Sequence, residues 1–137
     1  MLALSWASRA HLLKASGTGV FGTIGGLSAA AASRPGGPGG TTIAGHVHHL
    51  SSSVALSSKG LRGEPTSRDR SRSWTVSVVD DAAWAALRTR LREEYDRLVV
   101  AVEMHARWDE DALGVALGAV AHTAYHLGAI RQRLEPA

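Results

Sequence analysis

The sequence predicts an all-α protein, and three observations support that fold class. Apolar residues recur at steps of three and four along two long segments in the C-terminal half of the chain. Threonine or aspartate precedes the predicted helices, and glycine and proline cluster between them. A short piece at residues 74–78 alternates instead, which indicates at most one extended stretch. Four helices with one long crossover indicate a four-helix bundle.

The chain is long enough for one small domain over residues 1–137, since 45% of its residues are hydrophobic. It has no cysteine, so it can form neither disulfides nor thiolate metal sites and carries no cysteine nucleophile. Any metal site must therefore use His, Asp or Glu. Glycine, serine or charged residues interrupt every apolar run before the roughly 18 residues of a membrane span. We therefore expect a soluble, cytoplasmic protein without a membrane contact.

The net charge of +3 raises the question of nucleic-acid binding. The excess of basic residues lies in the N-terminal segment and in a loop with four arginines between residues 62 and 72. Beyond Asp80, acids and bases are interspersed as on an ordinary helix surface. Neither a nucleic-acid-binding motif nor interleaved aromatic residues accompany the arginines. Nucleic-acid binding through the 62–72 loop is therefore the last of three functional hypotheses.

The N-terminal segment, residues 1–40, is expected to be the irregular and partly disordered part of the domain. A first helix is predicted over residues 2–31, although it contains five glycines that each cost about 1 kcal/mol relative to alanine. The serine-rich, acid-free composition also fits a transit peptide, as a weaker alternative. The run Arg34-Pro-Gly-Gly-Pro-Gly-Gly then ends the helix. Residues 41–134 carry the stronger helical pattern.

Three further helices follow. The second is predicted over residues 42–59 with Thr41 or Thr42 as its cap, and a long loop over residues 60–79 separates it from the third. Asp80 or Asp81 caps that third helix, over residues 81–105, whose Trp84 and Tyr95 are predicted core residues. After a short turn at 107–111, the fourth helix ends near residue 134. It is apolar nearly all round, so we expect it to be buried on both sides.

Two histidines on the last helix are the strongest sign of chemistry. His122 and His126 are four residues apart, so they lie one above the other on a helix face and can direct their rings at one metal ion. The alternative is a pair of buried, hydrogen-bonded histidines. Thr123 stands where the HExxH motif of zinc proteases has glutamate, so no general base comes from that turn. Tyr125 either lines this site or packs in the core.

A third histidine can come from the second helix. His46 and His49 are three residues apart and share a face, whereas His48 points about 100° away from His49. Either His46 or His49 can complete a triad with the last-helix pair. Three neutral imidazoles leave a coordination position free for water or substrate, which is typical of a catalytic rather than a structural metal site.

Three stretches of the chain carry a family resemblance. They are Thr41-Thr-Ile-Ala-Gly-His-Val-His-His-Leu, the segment around Trp74, and the ending Ala121-His-Thr-Ala-Tyr-His-Leu-Gly-Ala-Ile-Arg131. Over about residues 40–134 the sequence resembles the DinB-like superfamily of metal-dependent bundle proteins, also called DinB/YfiT-like. The resemblance implies an up-down-down-up four-helix bundle that holds its metal with one histidine of the second helix and two of the last.

Carried over to this sequence, the resemblance implies His49, His122 and His126 as metal ligands, with His46 as the alternate for His49. Some members of the superfamily are thiol transferases, so it also implies a transferase that activates a small-molecule thiol. Zinc, nickel and iron all accept imidazole ligands, so the ligand type does not identify the metal. The second hypothesis is a noncatalytic metal-binding or dimerising bundle. The resemblance and the apolar last helix together favour a homodimer.

Overall fold

The described part of the chain is all-α. A computed structural model describes residues 18–69 and 71–135. Within these ranges it has five α-helices and no β-strand: α1 Val20–Ile24, α2 Ala29–Ala32, α3 Ile43–Leu61, α4 Asp81–Met104 and α5 Glu110–Leu134. An isolated antiparallel bridge joins Pro35 to Thr42 across the glycine-rich turn. The all-α prediction is confirmed for these residues.

The long helices α3 and α4 begin where the sequence places their caps, whereas α5 begins inside the turn predicted at 107–111. Thr42, Asp80 and Asp109 are the N-caps of α3, α4 and α5, and each side chain accepts a hydrogen bond from the backbone N–H three residues later. α3 ends two residues beyond the predicted end, α4 one residue before it, and α5 at residue 134 as predicted. The described part of the loop between α3 and α4 contains no extended strand at residues 74–78.

The first predicted helix is not continuous in its described part, whereas its residues 2–17 lie outside the described ranges. Helix α1 has five residues and α2 has four, and Gly25 and Gly26 separate them. Ser28 starts α2 afresh by accepting a hydrogen bond from the Ala31 N–H at 3.1 Å. The single helix over 18–31 is therefore a wrong prediction. Its physical reason is the glycine pair, which weakens helix propagation.

Helix α3 lies between α4 and α5 and packs along both, while α4 and α5 scarcely touch each other. His46 near the start of α3 contacts His126 near the end of α5, so these two helices run in opposite directions. At the other end of α3, the His105 ring contacts the Leu61 carbonyl oxygen, so α3 and α4 run in the same direction. The loop between α3 and α4 is thus the long crossover.

Helix α3 is the buried helix of the fold although it contains six serine and histidine side chains between residues 46 and 53 and two further serines beyond them. Among its 19 residues only Lys59 is exposed. Hydroxyl groups on α3 donate to carbonyl oxygens four residues earlier, as Ser51 does to Val47 at 2.9 Å and Ser57 to Ser53 at 3.1 Å. These short, internally bonded side chains let both neighbours pack closely.

Helix α5 is buried on one side only, so the expectation that both of its sides are buried is wrong. The inward side carries Thr123, His126, Leu127 and Ile130, which are all buried. The outward side carries Leu113, Leu117, Val120 and Tyr125, whose exposed fractions are 47%, 66%, 41% and 67%. The reason is that α3 covers one side of α5 and no described residue packs along the other.

Helix α5 also differs from the expectation that no segment of the chain has the length and apolar composition of a membrane span. It is the one helix of the described residues that is long and apolar enough to cross a membrane by length and composition alone, with a mean hydropathy of 1.3 over 18 residues. No charged residue stands between Asp111 and Arg131. The core helix of a soluble protein passes the same test, so this finding is weak evidence for a membrane segment.

Candidate metal centre

Four histidine rings meet where the start of α3 packs against the second half of α5. His46 and His126 are buried, with 4% and 1% of their surface exposed, and His49 and His122 are half-buried. His49, His122 and His126 each offer a ligand atom, and these three atoms lie within 4.8 Å of one another. The structure therefore brings together the three residues that the sequence and the resemblance point to.

The distances between the ring nitrogens are close to those of a metal site. The Nε2 atoms of His122 and His126 are 3.1 Å apart. Metal–nitrogen bonds of about 2.1 Å in tetrahedral geometry place two ligand nitrogens about 3.4 Å apart. The His49 ring lies 5.1 Å from the His122 ring and 5.0 Å from the His126 ring, centre to centre. The ligand nitrogen of His49 lies within 4.8 Å of those of His122 and His126.

Two buried nitrogens of the cluster, Nδ1 of His49 and Nε2 of His46, lack a hydrogen bond of ordinary geometry among the described residues, although the Ser73 backbone lies close enough to His49 to raise its pKa. A buried polar atom without a hydrogen bond costs about 1–3 kcal/mol. A metal ion bound by His49 through this nitrogen would remove that cost there. This buried nitrogen of His49 is thus a second observation, besides the clustering, that fits a ligand.

His46 belongs to the cluster in a different way from the other three. Its Nδ1 atom lies 2.8 Å from Nδ1 of His126, so one of these nitrogens donates a hydrogen bond to the other. If His126 is the donor, its Nε2 atom carries the lone pair that a metal needs. A ligating histidine is commonly held in this tautomer by a hydrogen bond on its other nitrogen. The geometry gives His46 the position of that support, and His49 the position of a ligand.

All four histidines are held in the neutral form that binds metals. Burial lowers the pKa of His126 to about 3, with His122, His46 and His49 adding to the effect. Burial, followed by the charge of Arg133, lowers the pKa of His46 to about 4. Burial is also the largest cause that lowers the pKa of His49 and of His122. Neutral imidazoles keep their lone pairs free at pH 7.

Trp74 covers the cluster from the crossover loop. Its ring stacks on the His49 ring at 4.2 Å between centres, with 13° between the planes, and meets the His46 ring edge-on at 5.5 Å. In the sequence, Trp74 belongs to a short alternating stretch and to the family resemblance, and neither of these predicts its contact with the histidines. With 44% of its surface exposed, Trp74 separates the cluster from solvent only in part.

The loop around Trp74 is fixed to the start of α3. The Thr42 hydroxyl accepts from the Gly45 N–H at 3.0 Å and donates to the Ser77 carbonyl at 2.6 Å. A Cβ atom on Gly45 would lie 2.9 Å from the Val76 carbonyl oxygen, which shows how closely the loop approaches α3. The glycine thus permits the contact that positions Trp74 over the histidines.

Two further polar side chains at the site were missed from the sequence. The Ser53 hydroxyl lies 3.2 Å from Nε2 of His122, the atom that would ligate the metal. Its position one helical turn after His49 is a signal that could have found it. The positive charge of Arg68, after burial, lowers the pKa of His122. Arg68 lies on the crossover loop and is exposed, so no periodic pattern pointed to it.

Two of the three arginines that the structure describes in the 62–72 loop are paired with carboxylates of the same loop. Arg62 pairs with Glu64 at 2.6 Å, and Arg72 lies 3.9 Å from Asp69. Arg70 lies outside the described residues. Two of the four positive charges are therefore offset by neighbouring carboxylates, which lowers the attraction of this loop for phosphate groups.

An apolar cleft of about 480 Å³ lies at the C-terminal end of α3, whereas the histidine cluster lies near the start of that helix. Its apolar lining is Leu61, Val100, Ala101, Met104 and Ala106, and its polar lining is Arg62, Asp96, Arg97 and His105. The Arg97 guanidinium is paired with Glu94 at 2.8 Å. The cleft thus offers a mainly apolar surface with a few charged groups beside it, and the cluster of metal-ligating groups found among the described residues is the one at the histidines.

Comparison of the chain with known protein families, with curated proteins and with solved structures finds no match. The resemblance to the DinB-like superfamily therefore stays a prediction.

Proposed function

We propose that this protein is a DinB-like, metal-binding four-helix bundle in which His49, His122 and His126 hold a divalent ion. The observation that carries the proposal is the approach of three histidine ligand atoms to within 4.8 Å of one another. The same-direction pair α3 and α4, their long crossover and the reversed α5 agree with the last three helices of an up-down-down-up bundle. Zinc, nickel and iron are the candidate metals.

The proposed reaction is transfer of a small-molecule thiol to an electrophile. A divalent ion at this site would lower the pKa of the thiol, so that the thiolate is the attacking species near pH 7. The chain's residues supply the rest. His46 holds His126 in its ligating tautomer, Trp74 shields the cluster, and the Ser53 hydroxyl stands beside the site, 3.2 Å from Nε2 of His122.

A noncatalytic metal-binding bundle is the second candidate, and one observation favours it. Both ring nitrogens of His126 already have partners, because Nδ1 meets His46 and Nε2 meets His122. A metal that merely replaces the second of these contacts would stabilise the packing of α3 on α5 without any reaction. The two candidates share the metal ion and differ in turnover.

The shared premise is tested by the metal content of the purified protein, measured by inductively coupled plasma mass spectrometry. We expect close to one ion per chain in the wild type and a loss of most of it in His126→Ala and in the half-buried variant His122→Ala. His105→Ala, a change at the far end of α3, is the matched control and should keep the metal. Equal metal contents in all four proteins, with circular dichroism showing them folded, would contradict the proposal.

Turnover separates the two candidates. The metal-loaded protein is incubated with a thiol and a panel of electrophiles, and thiol consumption is followed in the wild type and in His49→Ala. The transferase proposal expects consumption that disappears when a chelator removes the metal. Consumption that persists without metal would reject the enzyme mechanism, and a metal-loaded protein that consumes no thiol would favour the noncatalytic candidate.

A further inference from the structure

The outward side of α5 presents a continuous row of exposed residues. The row is Glu110, Leu113, Leu117, Val120, Ala124, Gly128 and Arg131, at steps of three or four residues, and each of them is exposed. This spacing is that of the contact positions in helix pairs. Between the charged ends, the row is wholly apolar from Leu113 to Gly128, over about 23 Å of helix. An apolar stripe of this length on a described surface indicates a docking surface.

The charges at the two ends of the row fit a second copy of the same helix. Glu110 and Asp111 stand at the N-terminal end of α5, and Arg131 stands at its C-terminal end. In an antiparallel pair, the acidic end of each helix lies beside the basic end of the other. Arg131 also donates a hydrogen bond to the Thr18 carbonyl, which leaves its positive charge in place.

The side-chain sizes along the row fit the same arrangement. When two antiparallel copies are centred between Val120 and Ala121, Leu113 of one copy falls opposite Gly128 of the other, and Leu117 falls opposite Ala124. The same centre places Glu110 opposite Arg131. Large residues thus meet small ones in the register that also pairs the charges. A Cβ atom on Gly128 would meet nothing within 4 Å in the single chain, so space for a partner side chain exists there.

We propose that two copies of this chain associate through α5 about a two-fold axis that passes between Val120 and Ala121. Such an interface is isologous, since the same surface is used by both copies. The contact is one helix wide, about 10 Å, so it buries less than the roughly 1,600 Å² of a standard interface. The dimer is therefore expected to dissociate on dilution into the micromolar range.

A membrane surface fits the row less well than a second copy. Helices that lie on membranes carry lysine or arginine along the border of the apolar side. Helix α5 has no such residue between Asp111 and Arg131, and its opposite side packs on α3. The N-terminal residues that precede Thr18 are the other candidate cover. Both alternatives predict results that differ from those of a dimer.

Sedimentation velocity of the full chain over a concentration series tests the proposal. The wild type should sediment as a concentration-dependent dimer, and Leu117→Glu should weaken the dimer at least tenfold because it places two carboxylates in the row. Val100→Glu is the matched control, since Val100 is 56% exposed on α4. It should leave the dimer unchanged. A monomeric wild type, or a Leu117→Glu variant that dimerises like the wild type, would overturn the proposal.

A cysteine placed beside the two-fold axis tests the register. The chain has no cysteine, so Ala121→Cys adds a single thiol. Mild oxidation should convert it to a disulfide-linked dimer, whereas Ala86→Cys on the exposed side of α4 should stay monomeric on a denaturing gel. Equal cross-linking of both variants would overturn the antiparallel register. Flotation of the wild type with phosphatidylcholine vesicles would overturn the choice of a second copy over a membrane.

Discussion

The burial of helices α3 and α5 is the reverse of what their compositions suggest. Helix α3 is rich in serine and histidine, yet Lys59 is its one exposed residue. Helix α5 is almost wholly apolar between its ends, yet its row from Leu113 to Gly128 is exposed. The difference comes from position, because α3 has a long helix on either side and α5 has a described neighbour on one side only.

This reversal explains where the histidines lie. Polar groups inside a helix that is surrounded on both sides must find partners, and the serines of α3 find them within the helix itself. The histidine rings cannot do so, because they extend beyond their own helix. Their partners are therefore each other, across the contact between α3 and α5. The crowded side of α5 carries the chemistry, and the open side carries the apolar row.

The largest expected effect is that of one leucine truncation made on each helix. Leu50 on α3 is fully buried, and Leu117 on α5 is 66% exposed. Leu50→Ala should lower the free energy of unfolding by about 3 kcal/mol, since it removes buried surface and leaves a cavity. Leu117→Ala should change it by less than about 0.5 kcal/mol in dilute solution.

Urea denaturation at low protein concentration measures both effects. A loss of similar size in the two variants would contradict the one-sided burial of α5. Repeating the measurement at high concentration sharpens the comparison. A penalty for Leu117→Ala that grows with concentration would mean that the row is covered in an associated form, whereas the penalty for Leu50→Ala should not depend on concentration.

The next effect concerns the pH dependence of the contact between the two helices. His46 and His126 have pKa values of about 4 and about 3 in the fold, below their ordinary value of 6.5. Below pH 6.5 the unfolded chain takes up protons at these residues while the folded chain does not. The contribution of these two neutral rings to the free energy of unfolding is therefore complete above pH 6.5. It is lost as the pH falls towards 4, at up to about 1.4 kcal/mol per pH unit for each group.

Chemical denaturation in the presence of a chelator, between pH 7.5 and about 4.5, checks this slope. The His46→Gln variant should show a shallower slope than the wild type, because one of the two buried groups no longer titrates. A free energy of unfolding that stays constant over this range would contradict the burial of the two rings at the contact.

The sequence predicted the parts of the fold that depend on neighbouring residues in the chain. The bounds of α3 and α4 followed from apolar periodicity and from the caps Thr42 and Asp80, which act within one turn. The Asp109 cap of α5 acts in the same way but was predicted as part of a turn. The pairing of His122 with His126 followed from the same geometry. The choice of His49 as their partner needed the family resemblance, because spacing alone left His46 and His49 equivalent.

The parts that failed depend on contacts between distant residues. Helix α5 looked buried because composition does not reveal how many helices surround it. The stacking of Trp74 on His49 and the hydrogen bond of His46 to His126 arise only when the crossover loop and α5 reach the start of α3. The two short helices α1 and α2 were predicted as one, because the apolar pattern passes through Gly25 and Gly26 without a break.

The smallest effects are expected from one glycine substitution made on each helix. A Cβ atom on Gly45 of α3 would lie 2.9 Å from the Val76 carbonyl oxygen, whereas one on Gly118 of α5 would meet nothing within 4 Å. Gly45→Ala should therefore destabilise the fold by about 1–2 kcal/mol, since backbone must shift. Gly118→Ala should stabilise it by up to about 1 kcal/mol, because alanine propagates a helix better than glycine.

Because Gly118 lies outside the apolar row, Gly118→Ala should leave dimer formation unchanged. Opposite signs in urea denaturation would support the contrast between the two helices, and a destabilised Gly118→Ala variant would mean that something packs on the side of α5 that the described residues leave open.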